Sequence, residues 1–468
     1  MKQICTLLLF FAFCLFAPAA AKPAYKITLN VDGGKDTALI LGCHYGQYYD
    51  FLDTAYNNGR GRFVFEGDKE LKPGLYFFTN NKNRYFEFVV YHEKPTFTFT
   101  TKDENWHQYM KVKGSMQNQA LLYYRERENY LYNELQAGRK QLDSADFVEF
   151  QRQQLLRIDS LKLSLLTTYP DAMIGKMIYA TKDIDVPRTA DDGTPLTNYQ
   201  RRDYLLAHYF DNIPIDDDFI VRTPKEVFYK RVMEYVDRYL QGWPPEAIIP
   251  LLDTLIERSA PAPEVFHWLV HNLTEHYLQS TIMIYDEIYV HLVMRYFATG
   301  RAFWVPPTAV DEEVARATKW ERLLVGREAP ELILFDTMHR ACSLHHMPSD
   351  YTLLIFWSPT CGHCKEIVPA LYNLFEEYRD SINLTAFTIL TEFDEPTIVK
   401  WKKFMADHKM TDPRWVAMSG AEANVDWHEV YDVSSTPQIY LIDNSNHHIL
   451  AKKVGADIMR QIFKKLIK

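Results

Sequence analysis

The 468-residue sequence lacks several features that mark particular classes of protein. It has no block of basic residues, and its formal net charge of −9 at pH 7 argues against nucleic acid or an anionic membrane surface as a partner. It also has no glycine-rich phosphate loop, no serine nucleophile motif, no internal repeat and no low-complexity tract. These absences count against P-loop nucleotide hydrolases, serine hydrolases and repeat proteins, and we predict no bound cofactor.

Cysteine is scarce as well, with six residues in the whole chain. Two of them fall within residues 1–21, which leaves Cys43, Cys342, Cys361 and Cys364. So few cysteines cannot staple a chain of this length, and the fold must therefore rest on the burial of apolar residues, which make up 47% of the sequence. The remaining cysteines are available for chemistry.

The first residues have the layout of a secretory signal peptide. Lys2 precedes an apolar run from Ile4 to Phe16, and small residues follow as far as Ala21. We predict a signal peptide over residues 1–21, export to the periplasm or cell envelope, and no stable membrane insertion after the signal is cleaved. The alternative, a retained transmembrane helix, needs about 20 apolar residues, and this run is shorter.

The rest of the chain divides into three regions by the period of its apolar residues. Residues 22–113 alternate with period 2 between turn residues, as in RFVFEG and YFEFVVY, which predicts a β-sandwich-like domain of antiparallel sheets. Residues 114–305 have helical periodicity broken by loops rich in proline and aspartate, which predicts a central all-α region. A third region, residues 318–468, follows the proline pair Pro306 and Pro307.

The third region alternates between strand and helix patterns. The strand-like segments APELILFD, YTLLIFW, INLTAFTIL, TPQIYLID and HHILAKKVG are interleaved with helix-like segments such as CGHCKEIVPALYNLFEEYRD. This order predicts an α/β domain with a mixed sheet and helices on both faces. The pair Cys361 and Cys364 falls where a buried strand meets the N-terminus of a helix.

A helix N-terminus suits the redox chemistry of cysteine. Its unpaired N–H groups and partial positive charge favour an anion, and the thiolate is the nucleophile in disulfide exchange. His363 lies between the two cysteines, and as an imidazolium or N–H donor it would stabilise the Cys361 thiolate further. Gly362 keeps the backbone open to an approaching substrate chain.

The third region resembles a thioredoxin domain of the TlpA-like, exported branch. The resemblance rests on GREAPELIL, FWSPTCGHC, a proline at Pro369 and the segment VSSTPQIYLID. It implies a thioredoxin-like fold and thiol:disulfide oxidoreductase activity, in which Cys361 attacks and Cys364 resolves. It also implies that Pro437 is cis and faces the cysteine pair.

Substrate contacts and partners follow from the same resemblance. Thr436, directly ahead of Pro437, is predicted to contact the substrate, as are Gly362 and Trp357. The expected partners are exported proteins that carry disulfides or dithiols, and a membrane electron donor that keeps the cysteine pair reduced. His363 in contrast favours an oxidising potential because it stabilises the thiolate, so the physiological direction stays open.

This chain departs from the thioredoxin pattern at some positions. Ile355 stands where many thioredoxins carry a buried acid, and Thr360 stands where an aromatic residue is frequent. The first two regions resemble, less specifically, a β domain and a helical domain of unknown function that accompany TlpA-like domains in exported proteins. That resemblance implies no catalytic residue there.

Two alternatives compete with redox chemistry. The spacing C-x2-H-x15-C-x2-C, from Cys342 and His345 to Cys361 and Cys364, is acceptable for a structural zinc ion. The second pair, however, follows an apolar strand and opens an amphipathic helix, whereas zinc sites usually hold turns together, so we predict no metal. The other alternative is a noncatalytic envelope binding protein in which the two cysteines form a structural disulfide.

Overall fold

The computed structural model describes residues 23–336 and 340–467. The signal peptide predicted for residues 1–21 lies outside the described residues. The chain divides into two compact units, Met1–Tyr239 and Leu240–Lys468. Among the described helices, none is long and apolar enough to cross a membrane.

The first unit begins with two four-stranded sheets. Phe65 of one sheet stacks on Phe78 of the other, with ring centroids 5.3 Å apart, so side chains from both sheets meet in one core. The strands are β1 (Tyr25–Asp32), β2 (Ala38–Tyr45), β3 (Tyr48–Tyr56), β4 (Arg62–Gly67), β5 (Gly74–Thr79), β6 (Tyr85–Val90), β7 (Thr96–Lys102) and β8 (Lys111–Lys113). Their order is β4-β1-β7-β8 in one sheet and β3-β2-β5-β6 in the other.

One strand pairing differs from the predicted antiparallel sheets. β1 and β7 run parallel, with Ile27 opposite Phe97, while the other pairs of these two sheets are antiparallel. A parallel pair needs a long crossover between its strands, and the chain supplies it by passing through the second sheet between β1 and β7. The predicted β-sandwich-like domain is otherwise confirmed.

This unit also contains helices, of which the first lies between β7 and β8 and the others follow β8. Their bounds are α1 (Trp106–Tyr109), α2 (Met116–Gln141), α3 (Ser144–Thr168), α4 (Met173–Ala180), α5 (Asn198–His208) and α6 (Tyr229–Glu234). The Ser115 hydroxyl caps α2 by accepting a hydrogen bond from the backbone N–H of Asn118 at 3.0 Å. The Asn118 side chain pairs with the backbone N–H and C=O of Val89 at 2.7 and 2.8 Å, which fixes α2 on the edge strand β6.

The second unit starts with four helices, which form one compact unit with the α/β region that follows. Their bounds are α7 (Pro245–Arg258), α8 (Pro263–Leu278), α9 (Asp286–Leu292) and α10 (Pro307–Arg322). The buried Asp286 carboxylate at the start of α9 pairs at 2.6 Å with the buried ammonium of Lys452, near the C-terminus. The helical region predicted for residues 114–305 is therefore divided between the two units and is not a compact unit by itself.

The α/β region contains a mixed sheet, as predicted, and the sheet has seven strands where the sequence indicated five. Its strands are β9 (Ile333–Asp336), β10 (Ala341–Ser343), β11 (Tyr351–Trp357), β12 (Leu384–Leu390), β13 (Trp415–Ala423), β14 (Gln438–Asp443) and β15 (His448–Lys452). Their order is β10-β9-β13-β12-β11-β14-β15, with β11, β12 and β13 parallel and the other pairs antiparallel. The helices are α11 (Gly362–Tyr378), α12 (Glu395–Asp407), α13 (Trp427–Val430) and α14 (Ala456–Leu466).

Strand β11 is buried on both faces and leads to the cysteine pair. Leu353 and Ile355 face the core that contains α11 and α14, whereas Leu354 and Phe356 face a second core on the opposite side of the sheet. A strand covered on both faces reads as a continuous apolar run, which is why the sequence identifies it. The chain leaves β11 at the carboxyl edge of the sheet and enters α11 there.

Candidate active site

Cys361 and Cys364 lie at the start of α11, as the sequence predicts. Cys361 is the N-cap residue of this helix and is partly exposed, whereas Cys364 within the first turn is 0% exposed. Both side chains are thiols in this structure. One cysteine is thus open to a substrate, and the other is shielded by the protein.

The surroundings of Cys361 favour its thiolate. Burial tends to raise the pKa of this thiol, and several hydrogen bonds oppose that effect. The donors are the Thr436 side chain, the backbone N–H and thiol of Cys364, and the backbone N–H of His363. Together these donors hold the pKa of Cys361 below its ordinary value. The N–H groups of the first turn have no partner within the helix, so they are available to a sulfur at the N-cap.

The surroundings of Cys364 have the opposite effect. Burial raises the pKa of the Cys364 thiol to about 11, and the neighbouring Cys361 adds to the rise, while hydrogen bonds from the Ser358 backbone and the Thr436 side chain oppose it. Of the two thiols, Cys361 therefore loses its proton more readily. This asymmetry is what the assignment of Cys361 as the attacking cysteine requires.

The segment before β14 faces the cysteine pair. The Thr436–Pro437 peptide bond is cis, as predicted. The Cys361 thiol donates a hydrogen bond to the Thr436 carbonyl oxygen at 3.2 Å, and the Thr436 side chain hydrogen-bonds to both sulfurs. Thr436 and Pro437 are partly exposed, so a substrate chain can reach them beside Cys361.

Gly362 and His363 are exposed in the first turn of α11. A Cβ atom placed on Gly362 would meet no atom within 4 Å, so the backbone is open on this side of the site. The contact of His363 with Cys361 that lowers the thiol pKa is made by the backbone N–H. The catalytic role predicted for the His363 imidazole stays a prediction.

Trp357 requires a correction, because it does not line the site. Its side chain is 0% exposed and packs against Phe404 of α12, with ring centroids 5.2 Å apart. Side chains alternate along a strand, and Trp357 falls on the face that α12 covers. The prediction that Trp357 contacts the substrate is therefore wrong, and the residue supports the end of β11 from within the core.

The sheet order contradicts the zinc alternative. Cys342 lies on the edge strand β10, and β9, β13 and β12 stand between β10 and β11. With about 4.8 Å between neighbouring strands, Cys342 is separated from the end of β11 by about 19 Å. His345 instead stacks on His447 with ring centroids 4.0 Å apart. Within residues 23–336 and 340–467 no group of three or more metal-ligating side chains occurs.

A carboxylate that the sequence did not reveal lies beside the cysteine pair. Oε2 of Glu392 accepts hydrogen bonds from Ser358 Oγ at 2.9 Å and from Thr360 Oγ1 at 2.8 Å. Glu392 comes shortly after β12, the parallel neighbour of β11. The carboxyl ends of parallel strands meet at one edge of a sheet, so an acid just beyond β12 was the signal that could have identified it.

Two family models match the chain. Residues 25–121 match a domain of unknown function (DUF4369), and residues 343–400 match thioredoxin. The chain thus carries a thioredoxin domain at its C-terminus and a β domain of unknown function at its N-terminus, which confirms these two resemblances. The likeness to an exported branch and that of the helical region stay predictions.

Individual proteins share the thioredoxin likeness. The thioredoxin-like protein YneN of Bacillus subtilis is 26% identical over 118 residues, which cover 25% of this chain and 65% of YneN. The thiol-disulfide oxidoreductase YkuV of the same organism is 29% identical over 110 residues, covering 22% of this chain and 74% of YkuV. A crystal structure of a thioredoxin-like protein from Bacteroides caccae has a TM-score of 0.48 and 18% identity, and covers 61% of this chain and 99% of that chain.

Proposed function

We propose that this protein is an exported thiol:disulfide oxidoreductase that exchanges disulfides with envelope proteins through Cys361 and Cys364. The observation that carries the proposal is the contrast between the two thiols. One is partly exposed with a lowered pKa, and the other is buried with a pKa of about 11. The likeness to YkuV, a thiol-disulfide oxidoreductase, supports the same chemistry.

In the reducing direction, the first step forms a mixed disulfide. The Cys361 thiolate attacks one sulfur of the substrate disulfide, the substrate S–S bond breaks, and its other sulfur leaves as a thiolate that takes a proton from solvent. The open backbone at Gly362 and the partly exposed Thr436 and Pro437 leave room for a substrate chain around the Cys361 sulfur.

The second step releases the substrate. Cys364 loses its proton and attacks the Cys361 sulfur, and the second substrate sulfur leaves and is protonated. The substrate gains the electron pair that the cysteines lose, and a Cys361–Cys364 disulfide remains. An external dithiol or thiol donor must then reduce this disulfide, and the same steps in reverse oxidise a substrate dithiol.

Export and partners extend the proposal. The signal peptide predicted for residues 1–21 supports action in the periplasm or cell envelope, where disulfides persist. We propose exported proteins with disulfides or dithiols as substrates, and a membrane electron donor as the reductant of the pair.

Insulin reduction by the chain from Lys22 onwards, with dithiothreitol as electron source, tests this function. The wild-type protein should accelerate the reduction, and Cys361→Ala should abolish the acceleration. Cys342→Ala is a matched control, because it removes a cysteine on the edge strand β10, and it should leave the rate unchanged. An inactive wild-type protein whose Cys361–Cys364 disulfide resists dithiothreitol would favour the structural-disulfide alternative.

A further inference from the structure

Side chains tie down the loop that joins β11 to α11. The hydroxyls of Ser358 and Thr360 both hydrogen-bond to Oε2 of Glu392, at 2.9 and 2.8 Å. The two hydroxyl oxygens are also 2.8 Å apart. Oxygens from the ends of two neighbouring parallel strands thus form one cluster beside the N-terminus of α11.

The same loop contacts both cysteines through Ser358. The Ser358 carbonyl oxygen accepts the backbone N–H of Cys361 at 3.3 Å, and the Ser358 backbone hydrogen-bonds to the Cys364 sulfur. The Ser358 hydroxyl also accepts the backbone N–H of Thr360 at 3.1 Å. Ser358 is 1% exposed, so the loop turns around a buried hydroxyl that has a carboxylate as its partner.

We propose that Glu392 is a positioning residue for thiol exchange, which holds the loop from Ser358 to Thr360 and thereby aims the first-turn N–H groups of α11 at the Cys361 sulfur. The inference rests on the function proposed for the cysteine pair. Both hydroxyls hydrogen-bond to the same carboxylate oxygen, so this single side chain can fix the loop at two positions.

The charge of Glu392 and its hydrogen bonds act on Cys361 in opposite directions. A carboxylate close to a thiolate disfavours the thiolate, whereas the ordered loop stabilises it. Glu392→Gln removes the charge and keeps an acceptor oxygen for both hydroxyls, while Glu392→Ala removes the charge and the acceptor. If Cys361 loses reactivity in the Ala variant and keeps it in the Gln variant, the role of Glu392 is therefore to position the loop.

The test is the rate at which iodoacetamide alkylates Cys361 in the full mature chain, measured against pH. Glu392→Ala should slow alkylation near neutral pH by about threefold to tenfold, because a pKa rise of about one unit lowers the thiolate fraction and higher nucleophilicity offsets only part of it. Glu392→Gln should stay within about twofold of wild type, since the amide oxygen still accepts from both hydroxyls and the loop is kept. Glu395→Ala, which removes a neighbouring exposed carboxylate in the first turn of α12, is the matched control and should change nothing.

A second pair of substitutions keeps the test decisive if Glu392→Ala does not fold. Ser358→Ala combined with Thr360→Val removes the two hydroxyls that hydrogen-bond to Glu392, and it should slow alkylation as much as Glu392→Ala does. Adding Glu392→Ala to these two substitutions should cause no further slowing. Equal alkylation rates in the wild type, in Glu392→Ala and in the Ser358→Ala, Thr360→Val protein would overturn the proposal. A decrease of the rate in Glu392→Gln as large as in Glu392→Ala would overturn it too. A wild-type chain without a reactive thiol at neutral pH would instead overturn the function proposed for the pair.

Discussion

At the scale of single residues, two chemically identical side chains acquire different reactivity from their positions. Cys361 at the helix N-cap collects hydrogen bonds that lower its pKa, while burial raises the pKa of Cys364 to about 11. A difference of one pKa unit corresponds to about 1.4 kcal/mol, and the burial of Cys364 and the hydrogen bonds to Cys361 together make Cys361 the more readily deprotonated thiol. His363 contributes to this difference through its backbone N–H group.

His363→Pro should raise the pKa of Cys361 and make the potential of the pair more negative. Proline has no N–H group and is tolerated in the first turn of a helix, so the substitution removes one donor to Cys361 and keeps α11. Less stabilisation of the thiolate favours the disulfide, which lowers the potential by on the order of 30 mV for each 1.4 kcal/mol lost. Equilibration with glutathione buffers measures the potential.

His363→Ala is the matched control, because it removes the imidazole and keeps the backbone N–H. Its potential should stay close to that of the wild type. The pH at which alkylation of Cys361 is half-maximal should rise in the Pro variant, because one of the hydrogen bonds that lower the pKa of the wild-type thiol is lost. Equal shifts in both variants would assign the effect to the imidazole.

The sequence could predict those site residues that sit in local motifs. The cysteine pair and Pro437 belong to such motifs, and their placement follows from strand and helix patterns near them in the chain. The burial of Trp357 depends on Phe404, and the role of Glu392 depends on the pairing of β11 with β12. Both are contacts between distant segments, so they require the pairing of strands and helices to be known and do not follow from the motif around the cysteines.

At the scale of elements, β10 and β13 are the two strands of the sheet that were not predicted, and β13 shows why. Its sequence WVAMSGAEA contains small and polar residues with little preference for strands, and its register with β9 shifts between Ser419 and Ala423. The strand is held by its neighbours. A Cβ atom on Gly420 would lie 2.9 Å from the Leu390 carbonyl oxygen, so close packing against β12 accounts for a glycine there.

Trp357 supplies a prediction about β11. Trp357→Ala should lower the free energy of unfolding by about 3–5 kcal/mol, because it leaves a cavity under the site. Trp357→Phe keeps a ring against Phe404 and removes an indole N–H that has no hydrogen-bond partner, so it should cost less. Urea unfolding measures both, and the KM for insulin should be unchanged in Trp357→Phe. A raised KM with unchanged stability would show that Trp357 contacts the substrate after all.

At the scale of the whole molecule, the helices before the thioredoxin domain are part of its compact unit. The Trp320 indole N–H donates to Asp432 at 2.8 Å, and the Lys453 ammonium lies 4.0 Å from the Trp320 ring centroid. The Asp286–Lys452 pair is buried in the same unit. These partners are far apart in sequence, so the periodicity that marked the helices could not tell which region they pack against.

Asp286→Ala should lower the stability of the second unit by about 3–5 kcal/mol, because it leaves the Lys452 ammonium buried without its counterion. Replacing both residues, Asp286→Leu with Lys452→Met, should cost much less. Tryptophan fluorescence in urea reports mainly on the unfolding of this unit, since Trp106 is the only tryptophan in the sequence before Leu240.

Lys403→Ala is the control for the buried pair. Its salt bridge to Asp407 is exposed, so the loss should stay below about 1 kcal/mol. Equal losses in Asp286→Ala and in the double variant would show that side-chain packing, and not the unpaired charge, accounts for the effect.

Adduct formation by the two cysteine variants tests the central claim most directly. Cys364→Ala and Cys361→Ala, each combined with Cys342→Ala, are incubated with oxidised glutathione, and their intact masses are recorded. A mixed disulfide should accumulate on Cys361 in the Cys364→Ala protein, because attack proceeds and no second thiol releases the adduct. The Cys361→Ala protein should form none, because Cys364 is 0% exposed and has a pKa of about 11. Equal adduct yields from the two proteins, or an adduct on Cys364 alone, would contradict the assignment.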